Sequence, residues 1–132
     1  MYKVMKIHRW AATRDVELLN EITKTNDLCF DDSAVAGIDN FEFMVEGKSY
    51  DCKIQLFGHF LKERTASSVE IKIINSEIVI GETAMFEVRL DKDVYYIPQE
   101  GFDIIDAKSK LFFDFTRKDL IQVNNIIHPD LL

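Results

Sequence analysis

From Val69 onward, apolar residues recur at alternate positions in short runs, and this feature limits the chain more than any other. Val69, Ile71 and Ile73 alternate with Glu70 and Lys72, and Ile78 and Ile80 follow after Asn75-Ser76. Ala84, Phe86, Val88 and Leu90 make another such row, with Glu87 and Arg89 between them. A period of two suits a strand with one face buried, and a helix would scatter these side chains around its axis. Asp91-Lys92-Asp93 reads as a three-residue loop into Val94–Ile97, which sets Leu90 opposite Val94 and Val88 opposite Tyr96. Pro98 ends that strand or puts it at an edge.

The same reasoning extends along the chain. Tyr2–Trp10 reads as a short strand. Between Phe41 and Phe57, Gly47-Lys48 supplies a two-residue hairpin loop. Closing it pairs Val45 with Tyr50, Phe43 with Cys52 and Phe41 with Ile54 on one face, and Glu42 with Lys53 on the other. Gly101 leads into Phe102-Asp103-Ile104, and Leu111, Phe113 and Phe115 form a last aromatic strand. Two helical segments are expected. Thr13 caps an amphipathic helix near residues 14–25, with Val16, Leu19 and Ile22 on one face. Thr116 and Asp119 open a short C-terminal helix or turn carrying Leu120, Ile121 and Val123. Residues 27–40 read as a long acidic connection.

The expected fold is therefore mainly β (α+β): a small antiparallel barrel or strongly curved sheet of about seven or eight short strands, in a single domain over residues 1–132. A chain of 132 residues with 47% apolar and 30% charged residues is large enough to bury a core without metal or disulfides. The run Ser68–Asp106 resembles the barrel domains of the elongation-factor-Tu family. The likeness rests on Glu77-Ile78-Val79-Ile80-Gly81-Glu82-Thr83, then Phe86-Glu87-Val88-Arg89-Leu90, then Gly101-Phe102-Asp103-Ile104. It implies a fold only and carries no activity or site.

Charge narrows the function classes. The net charge is −7, so a phosphate backbone is repelled and neither nucleic acid nor a membrane is expected as a partner. The charge is also segregated. Residues 1–14 hold Lys3, Lys6, Arg9 and Arg14 and no acid, whereas residues 15–51 hold ten acids against Lys24 and Lys48. Such a stretch serves either solubility or the docking of a basic partner, and Asp15, Glu17, Glu21, Asp27, Asp31, Asp32 and Asp39 are the candidate partner-binding residues.

Catalytic and metal motifs are lacking. His8, His59 and His128 are scattered, no HExxH, CxxC or paired-His spacing occurs, and five isolated glycines make no phosphate loop. His128-Pro129-Asp130 matches the tripeptide of J-domain co-chaperones in letters alone and carries no such role. Cys29 and Cys52 read as reduced, buried thiols. The first residues lack the apolar core of a signal peptide, and no window holds eighteen apolar residues, so a cytosolic location is expected. Phe57, Phe60, Tyr95 and Phe112 fall off the parity of the inward rows, and a second layer beneath the helix of residues 14–25 accounts for them better than an exposed patch.

These readings favour a small acidic cytosolic protein-binding module that acts by association, similar in character to the immunity proteins of bacterial toxin systems. A barrel holding a small apolar ligand is the alternative, and an enzyme without a recognisable motif ranks third. No cofactor and no metal are expected.

Overall fold

A computed structural model describes residues 1–100 and 111–132. The expected Phe102–Ile104 strand lies outside the described residues, as does the end of the elongation-factor-like run. The described chain forms β1 (Tyr2–Arg9), β2 (Arg14–Asn20), β3 (Asn26–Asp31), α1 (Ser33–Ala36), β4 (Ser49–Tyr50) and β5 (Cys52–Leu61). It continues through β6 (Val69–Ile80), β7 (Thr83–Leu90), β8 (Asp93–Pro98), β9 (Leu111–Val123), β10 (Ile126–Ile127) and a 3-10 turn, Pro129–Leu131. The protein is thus mainly β. All ten strands belong to one sheet, in the order β4-β1-β2-β3-β9-β5-β8-β7-β6, with β10 on β9. A further pairing returns β6 to β9, so β9, β5, β8, β7 and β6 close a ring. Two contacts are parallel, β3 with β9 and β5 with β8, and the rest are antiparallel.

The segment expected as an amphipathic helix is instead strand β2 followed by a turn. Arg14, Val16 and Leu18 point inward at alternate positions, while Ile22 of the supposed apolar face is 83% exposed. The period of two prevails because β2 lies between β1 and β3 and has ladder partners on both edges. Asn20 ends the strand, its side-chain oxygen accepting from the backbone N–H of Ile22 and of Thr23. Residues 116–123, expected as a C-terminal helix or turn, continue β9. Helical structure near that end is confined to the Pro129–Leu131 turn. The acidic connection over residues 27–40 contains β3 and α1.

The Gly47-Lys48 hairpin does not form. Gly47 adopts the left-handed conformation its position suggested, at φ +85°, but its turn docks on β1: Gly47 N–H donates to the Val4 carbonyl and Val4 N–H to that of Lys48. Residues 41–46 are turns, not a strand. Phe41 is fully buried, but Phe43 and Val45 are 44% and 46% exposed. The other half of the supposed hairpin, β5, pairs along its whole length with β9, from Cys52 opposite Val123 to Leu61 opposite Phe112. A thirteen-residue partner offers β5 a far longer ladder than six residues of a local hairpin. Where the two strands shift register, Gly58 lets their backbones touch: a Cβ there would sit 1.9 Å from the Asp114 carbonyl oxygen.

The β7–β8 hairpin forms with a two-residue loop, so the expected register is off by one. Leu90 faces Asp93 and Val88 faces Tyr95. Asp91 takes the left-handed conformation at φ +55°, and Asp93 joins the strand because the Thr23 and Thr25 hydroxyls donate to its carboxylate at 2.5 and 2.6 Å.

One large core cluster draws Val4, Val16, Leu18 and Cys29 from the β1–β3 side, and Leu56, Ile71, Val88, Tyr95, Ile97 and Phe113 from the ring. A smaller one joins Ile80, Met85, Tyr96 and Ile121, with Leu131 packed against it. Phe41→Ala should therefore cost about 3 to 5 kcal/mol, whereas Phe43→Ala should cost well under that, which urea denaturation of the two variants measures.

Burial also sets an alkaline limit. It pushes the Cys52 thiol up to about 12, with Asp51 adding to the effect, and the Tyr2 phenol up to about 12, helped by Asp27. The folded chain keeps these protons, while the unfolded chain releases them from about pH 9 and 10, the ordinary thiol and phenol values. The stability they confer is complete below pH 9 and falls as the pH rises toward 12. The urea midpoint should accordingly be lower at pH 11 than at pH 8.

Candidate functional site

Strands β3, β9 and β5 lie side by side, and three side chains meet on their outer surface. Arg117 of β9 stands opposite Phe57 of β5, while Phe30 of β3 pairs with Asp119. The Arg117 guanidinium carbon lies 4.6 Å from each of the two ring centroids, so the cation is clasped between two aromatic side chains. Asp119, two residues on and therefore on the same face, accepts from Arg117 Nε at 2.5 Å and from Nη2 at 3.2 Å. That hydrogen bonding raises the Arg117 pKa above its ordinary value. The arrangement holds an arginine in one orientation at an open surface. Phe57 is 48% exposed, and Leu28 beside Phe30 is exposed as well.

A cleft of about 260 Å³ adjoins the stack, with Phe57, Pro98 and Leu131 as apolar walls and Asp32, Arg117, Asp119 and Asp130 as charges. His128 closes its floor. Its Nδ1 accepts from the Asp130 backbone N–H at 3.1 Å, so Nε2 carries the proton and donates to Asp32 Oδ1 at 2.6 Å. Both ring nitrogens are engaged, which makes this residue a latch between the C-terminal turn and the start of α1. Pro129 then lies against Gly37, where a Cβ would come within 2.7 Å of its ring.

Asp32, His128 and Asp130 have metal-ligand types within reach of one another. Binding an ion through Nε2 would move the proton to Nδ1, against the Asp130 N–H, and binding through Nδ1 would break the cap. The geometry therefore fits the latch better than a metal centre. Nucleophilic chemistry is equally poorly served by the two cysteines. Both are buried and free, and burial pushes the thiols of Cys29 and Cys52 well up, away from the reactive thiolate.

The acidic residues singled out from sequence are divided by the sheet. Asp15 and Glu17 lie on the outer face of β2, where Asp15 accepts from Trp10 Nε1 at 2.9 Å and Glu17 lies 3.5 Å from His8. Asp15 borders the same surface as Leu28, Phe30 and Arg117, and Asp32 flanks the stack from the cleft side. Glu21 and Asp39 are exposed elsewhere, in the turn after β2 and in the loop after α1. Asp27 and Asp31 point inward and are buried.

Asp31 receives Arg14 Nε at 2.7 Å and the Ser33 N–H at 2.9 Å, and Arg14 Nη2 donates to the Phe41 carbonyl. Asp27 accepts from the Tyr95 hydroxyl at 2.7 Å and from Lys118 Nζ. Burial, and next the hydrogen bond to Asp27, hold the Tyr95 phenol far above its usual pKa, so it stays protonated.

Of the off-parity aromatics, Tyr95 is core, and Phe60 packs edge-on against Phe113 and Phe86. Phe112 lies under Arg64. Among the described residues no helix covers Phe57, which is exposed, so the expected second layer is not seen there. Arg117 was not named from the sequence, and Asp119, His128 and Asp130 were named there without a site role. An Arg-x-Asp spacing is the signal that would have marked Arg117 and Asp119 had residues 116–123 been read as a strand. No family model matches this chain, and no match appears among curated proteins or solved structures. Among the described residues, no helix is long and apolar enough to cross a membrane.

Asp31→Asn should cost about 3 to 5 kcal/mol, because it strands the buried Arg14 charge, while Asp32→Asn at the half-exposed rim should cost about 1 kcal/mol or less. Denaturation midpoints of the two variants compare these directly.

Proposed function

We propose that the protein is a small acidic module that acts in the cytosol by binding another protein with a basic surface, and that it docks through the outer face of β3, β9 and β5. The observation that carries this reading is the Phe30–Arg117–Phe57 stack, in which rigid aromatic and arginine side chains remain at an uncovered surface. Aromatic and arginine side chains supply most of the energy at protein interfaces when they sit at the centre of a patch. Asp15 and Asp32 border the patch, with Glu17 opposite Leu28 on the neighbouring strand, and supply the long-range attraction that speeds encounter with a basic partner. Asp27 and Asp31 take no part in docking on this reading, because their charges are spent on Lys118 and Arg14. The comparison with immunity proteins remains one of character.

The alternative of a small apolar ligand inside the ring receives less support. Side chains from every strand of the ring, Leu56, Ile71, Phe86, Tyr95 and Phe113 among them, already pack into one buried cluster. The return of β6 to β9 supports a small barrel, the fold that the likeness of residues 68–106 to elongation-factor-Tu barrel domains implies.

A photo-crosslinking side chain in place of Phe57, introduced in the source cell, tests the reading against the same group at exposed Val79 on β6. A discrete adduct from position 57 that is absent from position 79 is the expected result, and identical adduct patterns would overturn it. With the captured partner in hand, raising the salt concentration should slow association much more than it speeds dissociation.

A further inference from the structure

We propose that the cleft beside the stack receives an arginine side chain of the docking partner, an inference that rests on the docking reading above. Charge decides the occupant. Arg117 is compensated by its two hydrogen bonds to Asp119, which leaves Asp32 and Asp130 as the uncompensated carboxylates of the cleft. Asp130 is 71% exposed at its side chain and, among the described residues, its carboxylate accepts no hydrogen bond. Asp32 gives one oxygen, Oδ1, to His128. An anionic guest would meet both carboxylates, and a purely apolar one would strip them of water without return.

The walls select among cations. Phe57, Pro98 and Leu131 present apolar surface to the stem and flat face of a guanidinium head, which stacks on aromatic rings and offers a planar fork of donors to a carboxylate. A lysine ammonium offers neither the plane nor the fork. His128 and Pro129 hold the far wall in place through Asp32 and Gly37, so the cleft is formed before the guest arrives and little ordering remains to be done on binding.

Nuclear magnetic resonance titration of the whole chain with N-acetyl-arginine methylamide tests this, with the lysine, norleucine and glutamate analogues as further arms. Saturable shifts are expected for the arginine compound at the amides of Asp32, Phe57, Asp119 and Asp130, with weaker binding of the lysine compound and none of the other two. Asp130→Asn should weaken binding by about two- to fivefold, as loss of one partly exposed ion pair does, and Asp130→Lys should abolish it. Because Asp130 is exposed, both variants should keep the remaining spectrum, which confirms that the fold is intact. Equal shifts with norleucine would make the cleft an apolar site and overturn the inference. So would non-saturable shifts, or shifts centred on Glu21 and Asp39. A position-57 adduct together with an unresponsive cleft would leave docking standing and remove the arginine guest. A responsive cleft without a position-57 adduct would remove the docking face instead.

Discussion

Strand β9 is shared by both halves of the sheet, and the ladders that join them run through it. One edge pairs with β5 for the length of that strand. The other edge is divided, with Leu111–Phe113 facing β6 and Lys118–Asp119 facing β3. β9 also carries β10 at Gln122–Val123, and a strand can serve four neighbours only if it is long and changes direction between them, a change that the register shifts against β5 supply. Gly58 lies at one of these shifts, where only a residue without a side chain admits the β9 backbone so closely. The same bend turns Arg117 and Asp119 outward between Phe30 and Phe57, so the constraint that closes the ring also builds the candidate site.

Two buried charge pairs then fix how the β1–β3 half sits on this strand. Lys118 of β9 reaches inward to Asp27 of β3, across the parallel ladder between them, and Tyr95 of β8 donates to the same carboxylate. Arg14 and Asp31 face each other across β2 and β3, and Arg14 also holds the Phe41 carbonyl. Buried pairs of this kind add little net stability over an apolar core, because desolvation offsets most of the attraction. Their contribution here is position. Asp31 and Ser33 orient the start of α1, Ser33 Oγ accepts from the Phe41 N–H, and Asp32 is thereby placed for His128.

How much of this was legible in the sequence depended on whether the deciding partner was near in the chain. The strands β6 and β7 show their period of two in adjacent letters, and β1 is short but bounded, so all three could be read. Strand β3 inverts the usual pattern: Asp27 and Asp31 face in while Leu28 and Phe30 face out. Nothing local marks that inversion, since the compensating Arg14 and Lys118 lie 17 and 91 residues away. Arg14 pointing inward likewise disguised β2, leaving Val16, Leu19 and Ile22 to suggest a helical face. In β9, Thr116-Arg117-Lys118-Asp119 is four polar residues in succession, which looks like a break and is a strand with one charge inward and two outward. The β7–β8 register failed for the same reason, because the threonines that draw Asp93 into the strand come from the β2–β3 turn.

The acidic imbalance of residues 15–51 therefore means something different in three dimensions than along the chain. The sheet pairs Asp31 with Arg14, from the basic opening segment, and Asp27 with Lys118, from β9, removing two acids and two bases from the surface together. Glu17 and Glu42 lie beside His8 and Arg9, so part of the remaining charge is answered by β1 at the rim. What stays uncompensated is concentrated at fewer places than the sequence implies, and Asp130, remote from the acidic stretch, adds to one of them beside Asp32. A field from a few fixed carboxylates next to an apolar, aromatic surface orients an approaching partner, whereas the same charge spread evenly would only repel like-charged neighbours. The fold thus converts a diffuse compositional bias into a local one, and it does so by burying those acids whose partners the topology brings to them.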